Sequence, residues 1–341
     1  MCLAYLERLL VNLFCIIPND SDATSFYRGA TPIGALRKVA PFLNVTFSGA
    51  SVTPKDLCTA DVLFIQRPML AAHVSVAQLA KDLGAKVWID FDDALLDVAA
   101  SNPAAKVFNN PQTHRAIGDL IQIADLVSVS TEELKNIYSK KIGLAHKYRV
   151  IPNAWNDYIQ CYPQPFKNSN RVVWRGSDSH LESLMEETAS LNRFLEGTTH
   201  PEVFFMGHHP WYLKQGLQNV HNVPHQEIFN YFRTLSEIRP AIAFATLHDS
   251  PFNKCKSNIA WIEATYAGAT FVGPDFPEFE KPGITNYNSG SLGYMLTKQM
   301  ESSTTKLQEL HEESWEYIKA NYRLSEVNKL RAQLLREIVT K

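Results

Sequence analysis

Short apolar runs alternate along the chain with stretches in which apolar positions recur every three or four residues. In the first half the runs are VNLFCIIP, DVLFIQRP, KVWIDFDD, DLVSVS and YRVIPNAW, separated by segments such as SVAQLAKDLG and TEELKNIYSKKIG. Short apolar runs of this length are typical of buried parallel strands, and the intervening period is typical of helices. The alternation therefore predicts βαβ units and a doubly wound parallel sheet.

A second series of the same kind follows the polar, proline-containing stretch CYPQPFKNSN, and its runs are RVVWRGS, EVFFMGHH, NVHNVP, PAIAFAT and ATFVGP. The chain ends in a long amphipathic segment that predicts helices. We therefore expect an α/β fold with two doubly wound, Rossmann-like domains that face a cleft, and with C-terminal helices. The predicted limits are 1–157 for the first domain, 158–170 for a linker, 171–315 for the second domain and 316–341 for the terminal helices, for which packing back on the first domain is one option.

Composition narrows the class of protein. A chain of 341 residues with 45% apolar and 20% charged side chains is an ordinary globular one, long enough for two domains. The formal net charge of -2 gives no overall positive field for nucleic acid or an anionic membrane. Five scattered cysteines without a CxxC pair indicate a reducing cytoplasm and no zinc site. The interrupted apolar start predicts a helix over Leu3 to Leu10, and no run reaches the roughly 18 apolar residues of a spanning helix.

The stretch LHDSPFNKCKSNIAWIEATYAGATFVGP, residues 247–274, holds the clearest candidate chemistry. It follows a predicted strand, and it predicts a helix with Ser257 as N-cap and Gly268 just past its end. The free N–H groups of such a helix start suit a phosphate, and Lys256 adds a positive charge. Seven positions later, on nearly the same helix face, Glu263 could accept hydrogen bonds from two ribose hydroxyls. The spacing thus predicts a site for a nucleotide diphosphate.

Two further turns contain glycine beside a basic residue. Arg175, Gly176 and His180 follow the first strand of the second domain, where arginine provides a fixed fork for diphosphate oxygens and His180 either caps a helix or binds phosphate. Arg28 and Gly29 follow the first strand of the chain, in a loop without the GxGxxG dinucleotide pattern. An ordinary surface turn or βα loop remains the alternative in both places.

Carboxylates and basic residues of the first half suggest an acceptor side. The DFDD run, Asp90 to Asp93, ends a strand and could orient or deprotonate an acceptor hydroxyl, with helix capping as the alternative and a metal site disfavoured. Lys147 and Arg149 lie in the densest basic cluster, which could contact the phosphates of a nucleic acid or form a solvated helix end.

The run PFNKCKSNIAWIEATYAGATFVGP resembles the donor-binding segment of GT-B fold glycosyltransferases, particularly relatives of glycosyltransferase family four, in which a Glu on this helix holds the nucleotide ribose. ADLVSVSTEELKNIY, YRVIPNAWN, RVVWRGSDSH and FFMGHH match other pieces of that family in order, from about Ala124 to Gly273. SFYRGATPIGALRK and VWIDFDDALLDVAASNPA resemble a subgroup found in tailed-phage genomes. The family has a second Glu eight positions before the ribose Glu, where this chain has Cys255. Asn253 and Asp249 are the candidates to replace it.

The resemblance implies a metal-independent, retaining glycosyltransferase that needs no cofactor and moves a sugar from a nucleotide diphosphate sugar, expected to be a UDP-sugar, to an acceptor hydroxyl. In a phage setting the expected acceptor is a hydroxymethylated pyrimidine in DNA, and the compartment is the host cytoplasm. A surface polysaccharide or protein acceptor, a non-catalytic nucleotide-sugar-binding module and an epimerase are the alternatives. The predicted site residues are catalytic Arg175, Lys256 and Asp92; donor-binding Gly29, Arg28, Gly176, His180, Asn253, Ser257 and Glu263; and acceptor-side Asp90, Asp93, Lys147 and Arg149.

Overall fold

The computed structural model describes residues 10–18, 22–48, 52–213 and 218–340. The helix predicted over Leu3 to Leu10 lies outside these residues except for Leu10. Two compact units divide the chain. The first contains the described residues up to Val98, Lys106–Asn156 and the residues from Leu324 onward, and the second contains Ala99–Ala105 and Asp157–Arg323.

The first unit contains a parallel sheet of six strands in the order β2-β1-β3-β4-β5-β6. Its strands are β1 (Val11–Ile16), β2 (Leu43–Phe47), β3 (Val62–Gln66), β4 (Lys86–Phe91), β5 (Leu126–Val129) and β6 (Tyr148–Val150). Its helices from the first half of the chain are α1 (Ala23–Arg28), α2 (Ala30–Ala35), α3 (Pro54–Cys58), α4 (Ala71–Asp82), α5 (Ala105–Phe108), α6 (Pro111–Ile123) and α7 (Glu132–Ile142). The strand order reverses between β1 and β3, so the sheet is doubly wound.

The second unit contains another parallel sheet of six strands, in the order β12-β11-β10-β7-β8-β9. Its strands are β7 (Arg171–Arg175), β8 (Glu202–Met206), β9 (Val220–Val223), β10 (Ile242–Phe244), β11 (Thr270–Pro274) and β12 (Ile284–Tyr287). Its helices are α8 (Leu181–Glu186), α9 (Thr188–Leu195), α10 (Ile228–Ile238), α11 (Pro251–Lys254), α12 (Ile259–Tyr266), α13 (Leu292–Met300) and α14 (Thr304–Asn321). This is the strand order of dinucleotide-binding sheets, and it reverses between β7 and β10.

The end of α12 shows how the local sequence sets an element. Gly268 has a φ of 84° and directly follows the last capping residue. Its N–H donates to the Thr265 carbonyl over 3.1 Å, and the N–H of Ala269 donates to the Ala264 carbonyl over 2.9 Å. These paired bonds form a Schellman motif, in which glycine adopts the left-handed conformation without strain. The predicted end of this helix is confirmed.

The terminal segment divides between the two units. Helix α14 belongs to the second unit, where Trp261 Nε1 donates to Ser314 Oγ over 3.0 Å. Helix α15 (Leu324–Val339) belongs to the first unit, where Asn328 Nδ2 donates to the Pro32 carbonyl over 2.9 Å. The division therefore falls at Arg323 rather than at residue 315, because α14 runs unbroken to Asn321 on the second sheet.

Candidate functional site

The carboxyl ends of β7 and β10 are the first place to look for a ligand site in the second unit. In open α/β sheets, ligands bind outside the carboxyl ends of the strands where the strand order reverses. Strands β7 and β10 are neighbours there, with Phe244 paired to Trp174. Arg175 is the last residue of β7, directly beyond that pair. The predicted Arg175 therefore lies at the switch point of this sheet.

Arg175, Glu263 and Tyr231 form one polar cluster at this edge. Arg175 Nε lies 2.8 Å from Glu263 Oε2, and the side chains are 28% and 5% exposed. The Tyr231 hydroxyl, from α10, donates to the same carboxylate oxygen over 2.8 Å. Burial and the negative charge of Glu263 raise the pKa of Tyr231 well above its ordinary value, so this hydroxyl stays protonated and donates. The structure thus brings two of the predicted residues together and adds Tyr231, which no sequence motif indicated.

The segment before Glu263 differs from the predicted geometry. Helix α12 begins at Ile259 with Asn258 as its N-cap residue, so Ser257 lies one position before the cap and Lys256 two. Asn258 Nδ2 donates to the Tyr322 hydroxyl over 3.0 Å, which holds the chain in this turn. Lys256 and Glu263 therefore do not belong to one helix. The prediction that they lie on nearly the same helix face is wrong. Lys256 Nζ lies 4.4 Å from the centre of the Phe252 ring.

Asn253 belongs to a second polar cluster, on the loop after β10. Its Nδ2 donates to the His248 carbonyl over 3.0 Å and lies 3.1 Å from His248 Nδ1. Ser183, from α8, places its hydroxyl oxygen 2.9 Å from the same ring nitrogen. Asn253 is 5% exposed, so its amide is used inside the protein. Sequence reasoning missed Ser183, because its partners His248 and Asn253 lie 65 and 70 residues away along the chain, and it missed His248, whose ring contacts that serine.

Gly176 and His180 lie in the turn after β7. The N–H of Gly176 donates to the Met206 carbonyl over 3.0 Å, which ties this turn to β8. His180 occupies the N-cap position of α8. Its ring stands edge-on to Trp174, with centroids 6.5 Å apart. Both residues are thus at the same carboxyl edge as Arg175.

In the first unit, Arg28 and Asp90 are enclosed rather than available. Arg28 Nη2 lies 2.6 Å from Asp90 Oδ2 and Nε lies 3.0 Å from Oδ1, with the side chains 1% and 4% exposed. Arg28 Nη1 also donates to the Ile151 carbonyl, and Ser128 donates to Asp90. Arg331 from α15 is 2% exposed beside them. Because the guanidinium as well as the carboxylate of this pair is enclosed and hydrogen-bonded inside the unit, we remove Arg28 and Asp90 from the candidate site.

Gly29 and the remaining aspartates also have partners within the first unit. A Cβ at Gly29 would lie 1.9 Å from Gln66 Oε1, so this glycine admits the Gln66 side chain. Arg67 lies 2.5 Å from Asp92 and 3.5 Å from Asp93, an ion-paired group at the end of β4. Asp92, predicted to be catalytic, is therefore held by an arginine that sequence reasoning missed.

Lys147 and Arg149 do not lie with these aspartates. Lys147 directly precedes β6 and Arg149 is its middle residue, and both border a cavity of about 840 Å³ together with residues of α4, α6 and α15. Arg149 is in register with Ser128 of β5, but its Nη1 donates to the carbonyls of His146 and Tyr148, over 2.8 Å each. Lys147 Nζ donates to the carbonyls of Ile121 and Gln122, over 3.2 and 2.6 Å. Lys147 thus caps the end of α6. The structure does not bring these four predicted acceptor-side residues together.

Solved structures share this architecture. Sucrose-phosphate synthase from Thermosynechococcus elongatus is 11% identical, with 97% of this chain and 99% of that chain covered and a TM-score of 0.68. HepE from Anabaena, in complex with UDP-glucose, is 11% identical, with 96% and 99% covered and a TM-score of 0.66. A protein from Listeria monocytogenes, named provisionally as a UDP-N-acetylglucosamine 2-epimerase, is 10% identical, with 94% of each chain covered and a TM-score of 0.56. No protein-family model and no curated protein matches the sequence.

These similarities establish the fold class. The expected α/β chain with two doubly wound domains of the GT-B type is confirmed by the two parallel sheets and by the solved structures that share them. Among the described residues, no helix combines the length and the apolar composition needed to cross a bilayer.

Proposed function

We propose that the protein is a glycosyltransferase that transfers a sugar from a UDP-sugar to an acceptor hydroxyl in the cytoplasm. The observation that carries this proposal is the Arg175–Glu263 pair, 2.8 Å between Nε and Oε2, at the switch point of a Rossmann-like sheet. A carboxylate for ribose hydroxyls and a guanidinium for a diphosphate are then adjacent, as a nucleotide diphosphate requires. The shared fold of HepE, solved with UDP-glucose, supports a UDP-sugar as the donor.

The proposed chemistry follows from charge. The leaving nucleotide diphosphate gains negative charge as the glycosidic bond breaks. Ribose hydroxyls would replace Arg175 as donors to Glu263, and the released guanidinium, together with Lys256, would stabilise the diphosphate. Glu263 then aligns the donor, which is a positioning role. We propose Gly176, His180 and Ser257 as further contacts to the donor. We propose retention at the anomeric carbon and no obligatory metal, on the basis of the family resemblance.

A transfer assay tests the proposal. The protein is incubated with UDP-glucose, UDP-galactose or UDP-N-acetylglucosamine, with and without EDTA, and free UDP is measured with and without an acceptor. Release of UDP that depends on the acceptor and persists in EDTA supports a metal-independent transferase. Conversion of one UDP-sugar into another without release of UDP would instead identify an epimerase. UDP binding without turnover would identify a non-catalytic module.

The first acceptor to test is DNA that contains a hydroxymethylated pyrimidine, because the resemblance to a phage subgroup points there. Unmodified DNA of the same sequence is the matched control, and polysaccharide and protein acceptors follow. Lys147 and Arg149 give this acceptor no support, since both side chains donate to backbone carbonyls within the first unit. A neutral double substitution of these two residues is expected to leave transfer unchanged.

Arg175→Lys separates geometry from charge. Lysine keeps the positive charge but loses the planar fork that pairs with a carboxylate or a diphosphate. We expect kcat to fall by at least tenfold while the thermal midpoint changes little, because Arg175 is partly exposed. Arg171→Lys, on the same strand with a side chain 42% exposed, is the control and is expected to keep the parent rate. An unchanged kcat in Arg175→Lys would contradict the assigned role.

A further inference from the structure

The loop after β10 carries a histidine ring that two neighbours hold in place. Ser183 Oγ lies 2.9 Å from His248 Nδ1, and Asn253 Nδ2 lies 3.1 Å from the same nitrogen. Ser183 belongs to α8 and Asn253 to α11, and both side chains are buried. Three separate segments of the chain therefore meet at one imidazole.

The proton positions follow from counting donors and acceptors. The Ser183 hydroxyl oxygen accepts from the His248 backbone N–H over 3.2 Å and from Asn253 Nδ2 over 3.3 Å. A hydroxyl accepts two hydrogen bonds and donates one, so its own proton is left for His248 Nδ1. The Asn253 amide nitrogen can only donate, and its two protons are divided among the His248 carbonyl, Ser183 Oγ and His248 Nδ1. Nδ1 therefore accepts, and the neutral imidazole carries its proton on Nε2.

The loop itself is fixed at two further points. Trp174 Nε1, from β7, donates to Thr246 Oγ1 over 3.0 Å. The N–H of Leu247 donates to the hydroxyl of Tyr287, at the end of β12, over 3.2 Å. His248 follows directly, so both its backbone and its ring orientation are set before any ligand arrives. Such preorganisation is what a specificity-determining group needs.

The outward nitrogen of His248 is available. The residue is half-buried, and its Nε2 makes no hydrogen bond with any residue that the structure describes. Its loop leaves the sheet beside β7, whose last residue is Arg175. A single N–H donor thus stands on the loop after β10, the strand that neighbours β7 at the point where the strand order reverses.

We propose that His248 donates a hydrogen bond from Nε2 to a hydroxyl of the sugar in the nucleotide-sugar donor, and that Ser183 and Asn253 are positioning residues for it. This inference rests on the proposed function. A neutral N–H suits a neutral hydroxyl oxygen, whereas the formal charges of Arg175 and Lys256 suit the diphosphate. Asn253, predicted to contact the donor directly, acts in this assignment through His248.

Binding of UDP and of UDP-sugars separates this inference from the proposed function. Calorimetry on the parent first measures the Kd of UDP, UDP-glucose, UDP-galactose and UDP-N-acetylglucosamine. The UDP-sugar that binds most tightly is then used with the variants. His248→Phe keeps a ring but loses the hydrogen-bond donor. We therefore expect the Kd for the UDP-sugar to rise about tenfold, which corresponds to about 1.4 kcal/mol of binding free energy. The Kd for UDP should stay within twofold of the parent value. His248→Gln, which restores an N–H donor, is expected to recover much of the loss.

The outcomes point to different assignments. A parent that binds no UDP contradicts the proposed function itself. If His248→Phe binds UDP as tightly as the parent does, and also binds the UDP-sugar as tightly as the parent does, the inference about His248 is overturned and the proposed function is not. If His248→Phe loses UDP binding while its thermal midpoint is unchanged, His248 contacts the nucleotide, and the assigned contact to the sugar is overturned.

The positioning roles have a readout that needs no ligand. Two-bond ¹H–¹⁵N correlation spectra of protein with labelled histidine report which ring nitrogen carries the proton, and His248→Phe identifies the signal. We expect the Nε2–H form in the parent and in Ser183→Thr, which keeps the hydroxyl, and a mixture of forms in Ser183→Ala. A parent spectrum with the proton on Nδ1 would refute the orientation.

Discussion

Each unit contains an arginine–carboxylate pair near the carboxyl ends of its strands, and the two pairs differ in the exposure of the arginine. Arg28 and Asp90 in the first unit are 1% and 4% exposed, whereas Arg175 and Glu263 in the second are 28% and 5% exposed. The arginine is thus enclosed with its carboxylate in one unit and partly open to solvent in the other. A guanidinium beside a carboxylate is therefore no sign of a binding site until its exposure is known.

The surroundings of the two pairs explain the difference. In the first unit, helix α15 brings Arg331 against the pair, and the Ile151 carbonyl and the Ser128 hydroxyl complete its hydrogen bonds. In the second unit, the Tyr231 hydroxyl donates to Glu263, and the Arg175 side chain is only partly buried. A ligand can replace a partly exposed guanidinium at small cost, because the guanidinium can turn to water.

The largest expected effect is that of Asp90→Asn on stability. The change leaves the buried guanidinium of Arg28 without its carboxylate, and breaking a buried pair in this way costs about 3 to 5 kcal/mol. Urea denaturation should therefore show that loss in the free energy of unfolding of the first unit. Asp82→Asn, at an exposed helix end, is the control and should stay within about 0.5 kcal/mol of the parent. A loss below about 1 kcal/mol in Asp90→Asn would contradict a structural role for the pair.

Glu263→Gln, in the second unit, should have a small effect on stability and a large effect on UDP binding. Glutamine keeps an acceptor for Tyr231 but removes the charge that pairs with Arg175 and the second acceptor for ribose. Because Arg175 is partly exposed, we expect a loss of stability of only about 1 kcal/mol, and a loss of UDP affinity of at least tenfold by calorimetry. Glu280→Gln, at an exposed position, serves as the control. Parent-like UDP binding in Glu263→Gln would make the second pair as structural as the first.

Much of the fold could be predicted because its signals are local. The alternation of strand and helix patterns located both sheets, and Gly268 marked the end of α12 through its own backbone conformation. Arg175 and Glu263 were predicted separately from their motifs, and the structure shows them in contact. Each of these signals depends on residues close together in the sequence.

The rest depended on distant partners. The sequence pattern predicts that Asp90 is an available carboxylate at a strand end. In the structure, Arg331 from α15, more than 230 residues later in the chain, lies beside it. Asp92 similarly pairs with Arg67 from the neighbouring strand. Tyr231 lies within an apolar helical pattern and has no motif of its own. Which polar residues remain open to a ligand is thus a property of the packed structure, and no spacing rule contains it.

Tyr231→Phe tests the support of the second pair with a smaller change. The variant removes one hydroxyl and keeps the ring, so Glu263 loses one hydrogen-bond donor, an effect of about 0.5 to 1.5 kcal/mol. We expect the UDP Kd to rise between two- and tenfold, with a smaller further rise when the substitution is combined with Glu263→Gln. Additive effects in the double variant would show that Tyr231 does not act through Glu263.

Arg331→Met is expected to have the smallest effect, and it sharpens the contrast with Asp90→Asn. Burial and the nearby positive charge of Arg28 lower the pKa of Arg331 to about 9, so its charge opposes folding at neutral pH. Its Nη2 has no hydrogen-bond partner among the described residues, while Nη1 donates to Asn328 over 2.9 Å.

Methionine fills a similar volume, removes the surplus charge and leaves the Arg28–Asp90 pair intact, at the cost of the bond to Asn328. We therefore expect the free energy of unfolding of Arg331→Met to lie between the parent value and about 1 kcal/mol above it. Urea denaturation at pH 7 measures the change, beside Asp90→Asn. A loss as large as that of Asp90→Asn would mean that Asp90 serves both arginines equally, and that the enclosed group is a triad rather than a pair.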